Sequence, residues 1–318
     1  MKKVLITEPI PQAGIDLLKE HFDVTVNTSG HSMTKEEMIR EFNKYDGIGT
    51  SLLNPIDYDV IESCPNVQIM ANFAVGFNNI DIEAAVKRNL IVTNTPDVLS
   101  DTTAETAWAL LFAVARRIVE ADRYVRDGKW QKFSTNLFLG MDVFNKTLGI
   151  IGAGNIGRRF AEKARGYHMD ILYYNRHRDF EFEKQYNAKY VAFDELLSNS
   201  DFVSIHVPLN EETRHLIGAE ELALMKDNAI LINTSRGPVV DEKALIKALQ
   251  EKQLYGAGLD VFEDEPHVPE ALLQMDNVVL LPHIGSSTKE TRERMSLLVA
   301  HNLINVLEGK APVTPVFK

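Results

Sequence analysis

Four short segments of this 318-residue chain hold residue types suited to chemistry. The run TLGIIGAGNIG places Gly152, Gly154 and Gly157 in a G-x-G-x-x-G spacing directly after an apolar strand and at the start of a helix over 155–165. Gly152 permits a tight turn, Gly154 lets the backbone approach a pyrophosphate, and Gly157 allows close helix–strand packing. Asn155 and Ile156 open the helix, whose positive end faces the phosphates. Arg236 follows a strand in NTSRG, Asp260, Glu263, Asp264 and Glu265 follow another in GLDVFEDEP, and His283 follows a third in LLPHIGS. Arginine gives a planar two-pronged grip on a carboxylate. Histidine supplies a proton near neutral pH, and an adjacent carboxylate orients it and favours its charged form. Taken singly, each has a plain reading: a surface ion pair, a solvated loop charge, a turn residue. Set together at three strand ends after a nucleotide loop, they suit hydride transfer to a small 2-oxo acid.

The elements that must position these groups are legible in the hydrophobic pattern. Apolar runs at 3–7, 24–26, 47–50, 67–71 and 90–92 read as strands, with helices between them. Thr34 followed by Glu36 and Glu37 is a helix start. A second set at 147–151, 170–174, 202–206, 229–233, 255–259 and 278–280 reads as six strands of a doubly wound parallel sheet. The carboxyl ends of such strands face the ligand crevice. The expected fold class is therefore α/β, two Rossmann-like domains with a cleft between them. Residues 1–99, completed by 286–318, form a substrate domain, and residues 100–285 a dinucleotide-binding domain. Asp101 to Val125, without proline or glycine, predicts one long helix whose small residues permit close packing. The aromatic stretch Trp130, Phe133, Phe138 predicts an interface, with self-packing as the alternative.

Composition excludes several classes. Hydrophobic residues make up 45% and charged residues 25%, ordinary for a globular chain. A net charge of −11 disfavours a nucleic-acid partner. The single cysteine, Cys64, excludes an internal disulfide and reads as a buried thiol. MKKVLITEP is too short in its apolar part for a signal peptide, and no run is long enough to span a membrane. Cytoplasm is the default location, and no metal site is expected.

The motifs GIIGAGNIG, SIHVPLNEETRHLIG, LINTSRGPVVDEKAL, GAGLDVFEDEP and LLPHIGS, in this order, resemble the D-isomer-specific 2-hydroxyacid dehydrogenases. The resemblance implies Arg236 on the substrate carboxylate, His283 as acid–base and Glu265 as its partner. It implies Asp260 at the nicotinamide end and a homodimer built through the nucleotide domain. It also places Thr103, His206, Val207, Pro208, Thr213, Thr234, Asp260, His283 and Gly285 beside the cofactor. AVGFNNID, together with 94–118 and 139–152, resembles the glyoxylate, hydroxypyruvate and 2-ketogluconate reductase branch. There, N–H groups near Val75 and Gly76 would accept the substrate carboxylate, and Leu52, in the loop 51–54, would line the pocket. Larger branched or aromatic 2-oxo acids are the alternative within enzymes; a corepressor-like NAD(H) sensor is the alternative outside them.

For the cofactor, the second strand of an NAD site normally ends in an acid about 20 residues beyond the glycines. Here Asn175 stands there, 18 residues after Gly157, followed by Arg176, His177 and Arg178. A neutral amide and cations favour NADP(H), with NAD(H) possible; Asp179, Glu181 and Glu183 dilute the field.

Overall fold

A computed structural model describes residues 1–317. The chain divides into two compact units, Met1–Leu99 with Ser286–Lys318, and Ser100–Gly285.

In the first unit, strands β1 (Lys3–Ile6), β2 (Asp23–Val26), β3 (Gly47–Thr50), β4 (Ile69–Asn72) and β5 (Ile91–Thr93) alternate with helices α1 (Gln12–Lys19), α2 (Lys35–Glu41), α3 (Tyr58–Ser63) and α4 (Ile82–Lys87). They form an all-parallel sheet in the order β2-β1-β3-β4-β5. Alternate side chains of a strand point to opposite faces. Leu5, Ile48, Met70 and Val92 therefore pack with Met38, Val60 and Ala84 on one face. Val4, Ile6, Ile69 and Ala71 pack with Leu18, Val299 and Leu303 on the other. Those last two belong to the terminal helix, Lys289–Leu307, which completes this unit. Helix starts follow local chemistry: Thr34 and Glu37 form a capping box, and Asp57 and Asp81 cap α3 and α4, each satisfying an otherwise orphaned N–H.

The second unit begins with α5 (Ser100–Ala115) and α6 (Ile118–Arg126). The single long helix expected over 101–125 is broken, because Arg117 adopts a left-handed conformation, φ 53°. Its small residues are spent inside the unit: α5 packs against the sheet and the glycine-loop helix. Trp108 stacks on Phe160 at 4.8 Å and donates to its carbonyl at 3.0 Å.

From there β6 (Thr147–Ile151), α7 (Asn155–Ala164), β7 (Asp170–Tyr174), α8 (Phe180–Tyr186), β8 (Ala188–Tyr190), α9 (Phe193–Asn199), β9 (Phe202–Ile205), α10 (Ala219–Leu224), β10 (Ile230–Asn233), α11 (Glu242–Gln250), β11 (Gly256–Leu259), α12 (Glu270–Leu273) and β12 (Val278–Leu280) follow in turn. The terminal helix is α13. The sheet is parallel, in the order β12-β11-β10-β9-β6-β7-β8. It has seven strands rather than six: β8 is three residues long and follows a left-handed turn at Asn187, too short to leave a periodic signal. Both faces are covered, so the central strands are buried throughout, as parallel sheets require.

Glycines in β11 let α5 approach. A Cβ on Gly258 would lie 2.9 Å from Leu110 Cβ and 2.9 Å from Ile232 Cδ1. Gly258→Val should therefore cost about 1–3 kcal/mol through overpacking, read as a lower urea midpoint; an unchanged midpoint would contradict this packing.

Candidate active site

The strand order reverses between β6 and β9, which run side by side while their crossovers lead to opposite edges. Ligands of open α/β sheets bind at such a switch point. Gly152 takes φ +96°, and a Cβ there would meet the His206 carbonyl group and Val207 Cγ1 at 2.8 Å. A Cβ on Gly157 would stand 2.2 Å from Gly152 O. These two glycines are dictated by packing. Above Gly154 nothing lies within 4 Å, and Gly154 caps α7 without a side-chain hydrogen bond. The result is an open cradle at a helix N-terminus, the shape and polarity a diphosphate requires. Ile156 turns inward against the core, so Asn155 and Gly154 form the outer lip.

Around this cradle, Asn175 Oδ1 accepts from Ala153 N at 2.7 Å, which fixes the carboxamide at the end of β7. Arg176 is extended into solvent, its side chain 74% exposed, and pairs at 3.3 Å with the equally exposed Glu212. Such a pair is weak and easily exchanged. Arg178 differs from its expected free role: it makes a two-pronged contact with Glu183 at 2.7 and 2.8 Å and lies over the Phe180 ring. His206 Nε2 contacts Ser204 Oγ at 2.9 Å, and burial pulls the ring's pKa down to about 3, so it is neutral. Its Nδ1 and the Thr234 hydroxyl are buried polar atoms with no partner among the described residues. Unsatisfied buried groups of this kind fit a bound polar ligand. Thr213 closes a turn, donating to Pro208 O at 2.6 Å, and so shapes the loop that begins at Val207. A nicotinamide dinucleotide fits this set; when bound it supplies a transferable hydride.

The candidate reacting groups gather at the ends of β10, β11 and β12. His283 Nδ1 lies 2.7 Å from Glu265 Oε2, and Glu265 Oε1 accepts from Phe262 N at 3.0 Å. Burial pushes the Glu265 carboxyl up, but the hydrogen bond and charge of His283, with help from Phe262 N and Arg236, outweigh it and hold the carboxyl below its ordinary value. Arg236 is held by its own loop: Nη1 donates to Ser235 O at 2.7 Å and Asn233 Nδ2 holds its carbonyl at 3.0 Å. Burial draws its guanidinium down, opposed by the charge of Glu265.

Two structural roles were not legible beforehand. The Asp260 carboxylate is buried and accepts from Ile284 N and Gly285 N, both at 2.7 Å, while its carbonyl accepts from His283 N at 2.9 Å. His283 is thereby pinned in the left-handed region, φ 54°, which non-glycine residues adopt at a cost. Thr106, one helical turn beyond Thr102, donates to Gly285 O at 3.1 Å, and Thr103 lies against Gly285. Helix spacing from Thr102 and Thr103 was the available signal for Thr106. Leu52, Val75 and Gly76 lie in the first unit, on the loops after β3 and β4.

A dinucleotide cradle at the switch point beside a histidine–carboxylate couple and an arginine defines a nicotinamide-dependent oxidoreductase. Residues 108–285 match the family model for the D-isomer specific 2-hydroxyacid dehydrogenase NAD binding domain, and the chain belongs to this family. It is 50% identical to a glyoxylate reductase of Thermococcus onnurineus, covering 99% of this chain and 95% of that one. Among solved structures it resembles a glyoxylate reductase from Paecilomyes thermophila, with TM-score 0.89 and 35% identity over 99% and 98% of the two chains. It also resembles an NADPH-dependent glyoxylate/hydroxypyruvate reductase from Sinorhizobium meliloti in complex with NADP and malonate, with TM-score 0.90 and 32% identity over 99% and 96%. The chain is accordingly an NAD(P)-dependent oxidoreductase, and the corepressor-like alternative is set aside. Among the described residues no helix is long and apolar enough to cross a membrane.

The couple has a specific consequence for the chemistry assigned to it. Reduction of a carbonyl needs a proton donor, and the Glu265 contact at Nδ1 fixes the orientation of the His283 ring for that role. Glu265→Ala should lower kcat/KM for reduction about tenfold or more, the scale of losing a hydrogen bond to a charged group, and His283→Ala should lower turnover about 100-fold or more with little change in cofactor affinity. An unchanged kcat/KM in the Glu265 variant, or near-normal turnover in the His283 variant, would remove the couple from the chemistry.

Proposed function

We propose that this enzyme reduces glyoxylate to glycolate, and hydroxypyruvate as a second substrate, with NADPH preferred over NADH. The observation that carries this reading is the His283–Glu265 contact at 2.7 Å beside Arg236, in a chain 50% identical to a glyoxylate reductase. In it, Arg236 grips the substrate carboxylate and polarises the carbonyl region. N–H groups near Val75 and Gly76 add a second grip. His283 is placed to give its Nε2 proton to the carbonyl oxygen, and Glu265, at Nδ1, orients the ring for that transfer. Leu52 limits the apolar side of the pocket. Thr103, Thr234, His206, Val207, Pro208, Thr213, Asp260 and Gly285 surround the cofactor, with Gly152, Gly154, Asn155, Ile156 and Gly157 beneath its phosphates.

The cofactor preference rests on Asn175 and Arg176. A neutral carboxamide replaces the acid that would repel a 2′-phosphate, and the weakly paired Arg176 is available to bind one with a charge-assisted bond. Steady-state comparison of glyoxylate, hydroxypyruvate and 2-ketogluconate with each cofactor should give the highest kcat/KM for glyoxylate with NADPH. Arg176→Ala should lower the NADPH value roughly tenfold or more and leave the NADH value nearly unchanged. Preference for a large 2-oxo acid, or equal losses with both cofactors, would overturn the corresponding half of the proposal.

The same reading includes a homodimer through the nucleotide unit. Ile118, Val119 and Val125 on α6 are exposed, as are Trp130 at 57% and Phe133 at 80%. Apolar surface gathered in this way marks an interaction site. Phe138 is the exception, since it packs edge-on against Tyr124 at 5.2 Å and beneath Arg117 at 5.0 Å. Sedimentation at micromolar concentration should give twice the monomer mass, and Phe133→Asp with Val125→Asp should halve it; a wild-type monomer would contradict the assignment. Cys64, buried and with its thiol pushed up to about 11 by burial, is consistent with the expected cytoplasmic setting.

A further inference from the structure

The loops after β3 and β4 are joined by a short backbone bridge at Ile56 and Ile80 and, nearer the strand ends, by asparagine side chains. Asn72, buried at the end of β4, directs Nδ2 to Gly76 O at 2.8 Å and to Asn79 Oδ1 at 3.3 Å. Asn79 Nδ2 in turn bridges Ser51 O at 3.0 Å and Asn54 O at 3.2 Å. Asn94, just past β5, donates from Nδ2 to Val75 O at 2.8 Å. Asn54 Oδ1 closes the set, accepting from Thr50 Oγ1 at 3.0 Å and Ser51 N at 3.3 Å. Because the Asn72, Asn79 and Asn94 amino groups all meet carbonyl oxygens, the carboxamides have one favourable orientation: a flip would set oxygen against oxygen.

The consequence falls on the two residues between these contacts. The carbonyls of Val75 and Gly76 are both held by asparagine donors, whereas neither residue's N–H donates to a group among the described residues. Both residues are only partly buried. N–H groups left without a protein acceptor, on a turn whose carbonyls are engaged elsewhere, are available to donate to an anionic ligand. Asn79 also ties this turn to the 51–54 loop that carries Leu52.

We infer that Asn72, Asn79 and Asn94 are positioning residues for substrate: they hold the Val75–Gly76 turn as a carboxylate receptor and fix its spacing from Leu52, without touching substrate themselves. The inference rests on the proposed reading of the site as one for small 2-oxo acids. It differs from a merely structural role in what it moves. Loss of folded protein lowers the active fraction, and so kcat, at constant KM; a misplaced receptor raises KM.

Asn79→Ala and Asn94→Ala are the variants of choice, since both side chains are partly exposed. Each should raise KM for glyoxylate about tenfold, the scale of losing a hydrogen bond to a charged group. The kcat should stay within about threefold and NADPH affinity should be unchanged. Titration of oxamate, a non-reacting 2-oxo acid analogue, into the protein saturated with NADP+ gives the same comparison without turnover. Roughly tenfold weaker oxamate binding in both variants is the expected result. Equal affinity in wild type and variants, or a fall in kcat at constant KM, would overturn the inference while leaving the proposed reduction of glyoxylate intact. A wild type that binds oxamate with the expected difference but does not reduce glyoxylate would uphold the receptor and defeat the assigned substrate.

Discussion

The buried carboxylate of Asp260 holds together the part of the molecule where proton transfer is assigned. Its two oxygens accept the N–H groups of Ile284 and Gly285, and its backbone carbonyl accepts that of His283. Three hydrogen bonds from one residue thus fix a turn that would otherwise relax from its left-handed conformation. Burial, with the charge of Glu265, raises the Asp260 pKa, and the N–H groups and nearby His283 oppose that rise only in part. Removing the carboxylate from such a site leaves two N–H donors without acceptors, which is more costly than the bonds are individually worth. The position of His283, and hence its contact with Glu265, depends on this arrangement.

The sheet makes that arrangement possible. Asp260 follows β11, Arg236 follows β10, and His283 follows β12, three adjacent parallel strands whose carboxyl ends share one edge of the sheet. Glycine at 256 and 258 lets α5 lie close enough for Thr106 to reach Gly285. Gly237 has a related function beneath the arginine: a Cβ there would fall 1.9 Å from the Phe262 carbonyl, so the Arg236 loop and the Glu265 loop touch backbone to backbone. Packing at three glycines thereby sets the spacing of charged groups that no sequence pattern states directly.

Most of this was legible in the sequence where a repeating physical signal existed. The strand runs are apolar because both faces of each sheet are covered, and β6, β7 and β12 fall on their expected residues. The cradle was legible because Gly152 and Gly157 are forced by close approach. The signal failed where a single residue decides the outcome. Arg117 breaks a pattern that reads as one helix, since a left-handed residue leaves no mark in hydrophobic periodicity. β8 is shorter than one period of evidence. Arg178 reads as a cation facing a phosphate until its two contacts with Glu183 are seen, and charge counting along a loop cannot assign partners. The asparagines at 72, 79 and 94 carry no hydrophobic or charge signal; their meaning lies in which carbonyls they meet.

In the proposed reaction a small 2-oxo acid receives hydride from a nicotinamide at its carbonyl carbon, and the proton for its oxygen is assigned to His283. The most direct test is to reduce glyoxylate in ordinary water with NADPH deuterated at both C4 positions of the nicotinamide, and to read the glycolate by mass spectrometry. Glycolate carrying one deuterium on carbon, formed in equal amount to the cofactor oxidised, is the expected result. Unlabelled glycolate, or oxidation of the cofactor without glycolate, would contradict it.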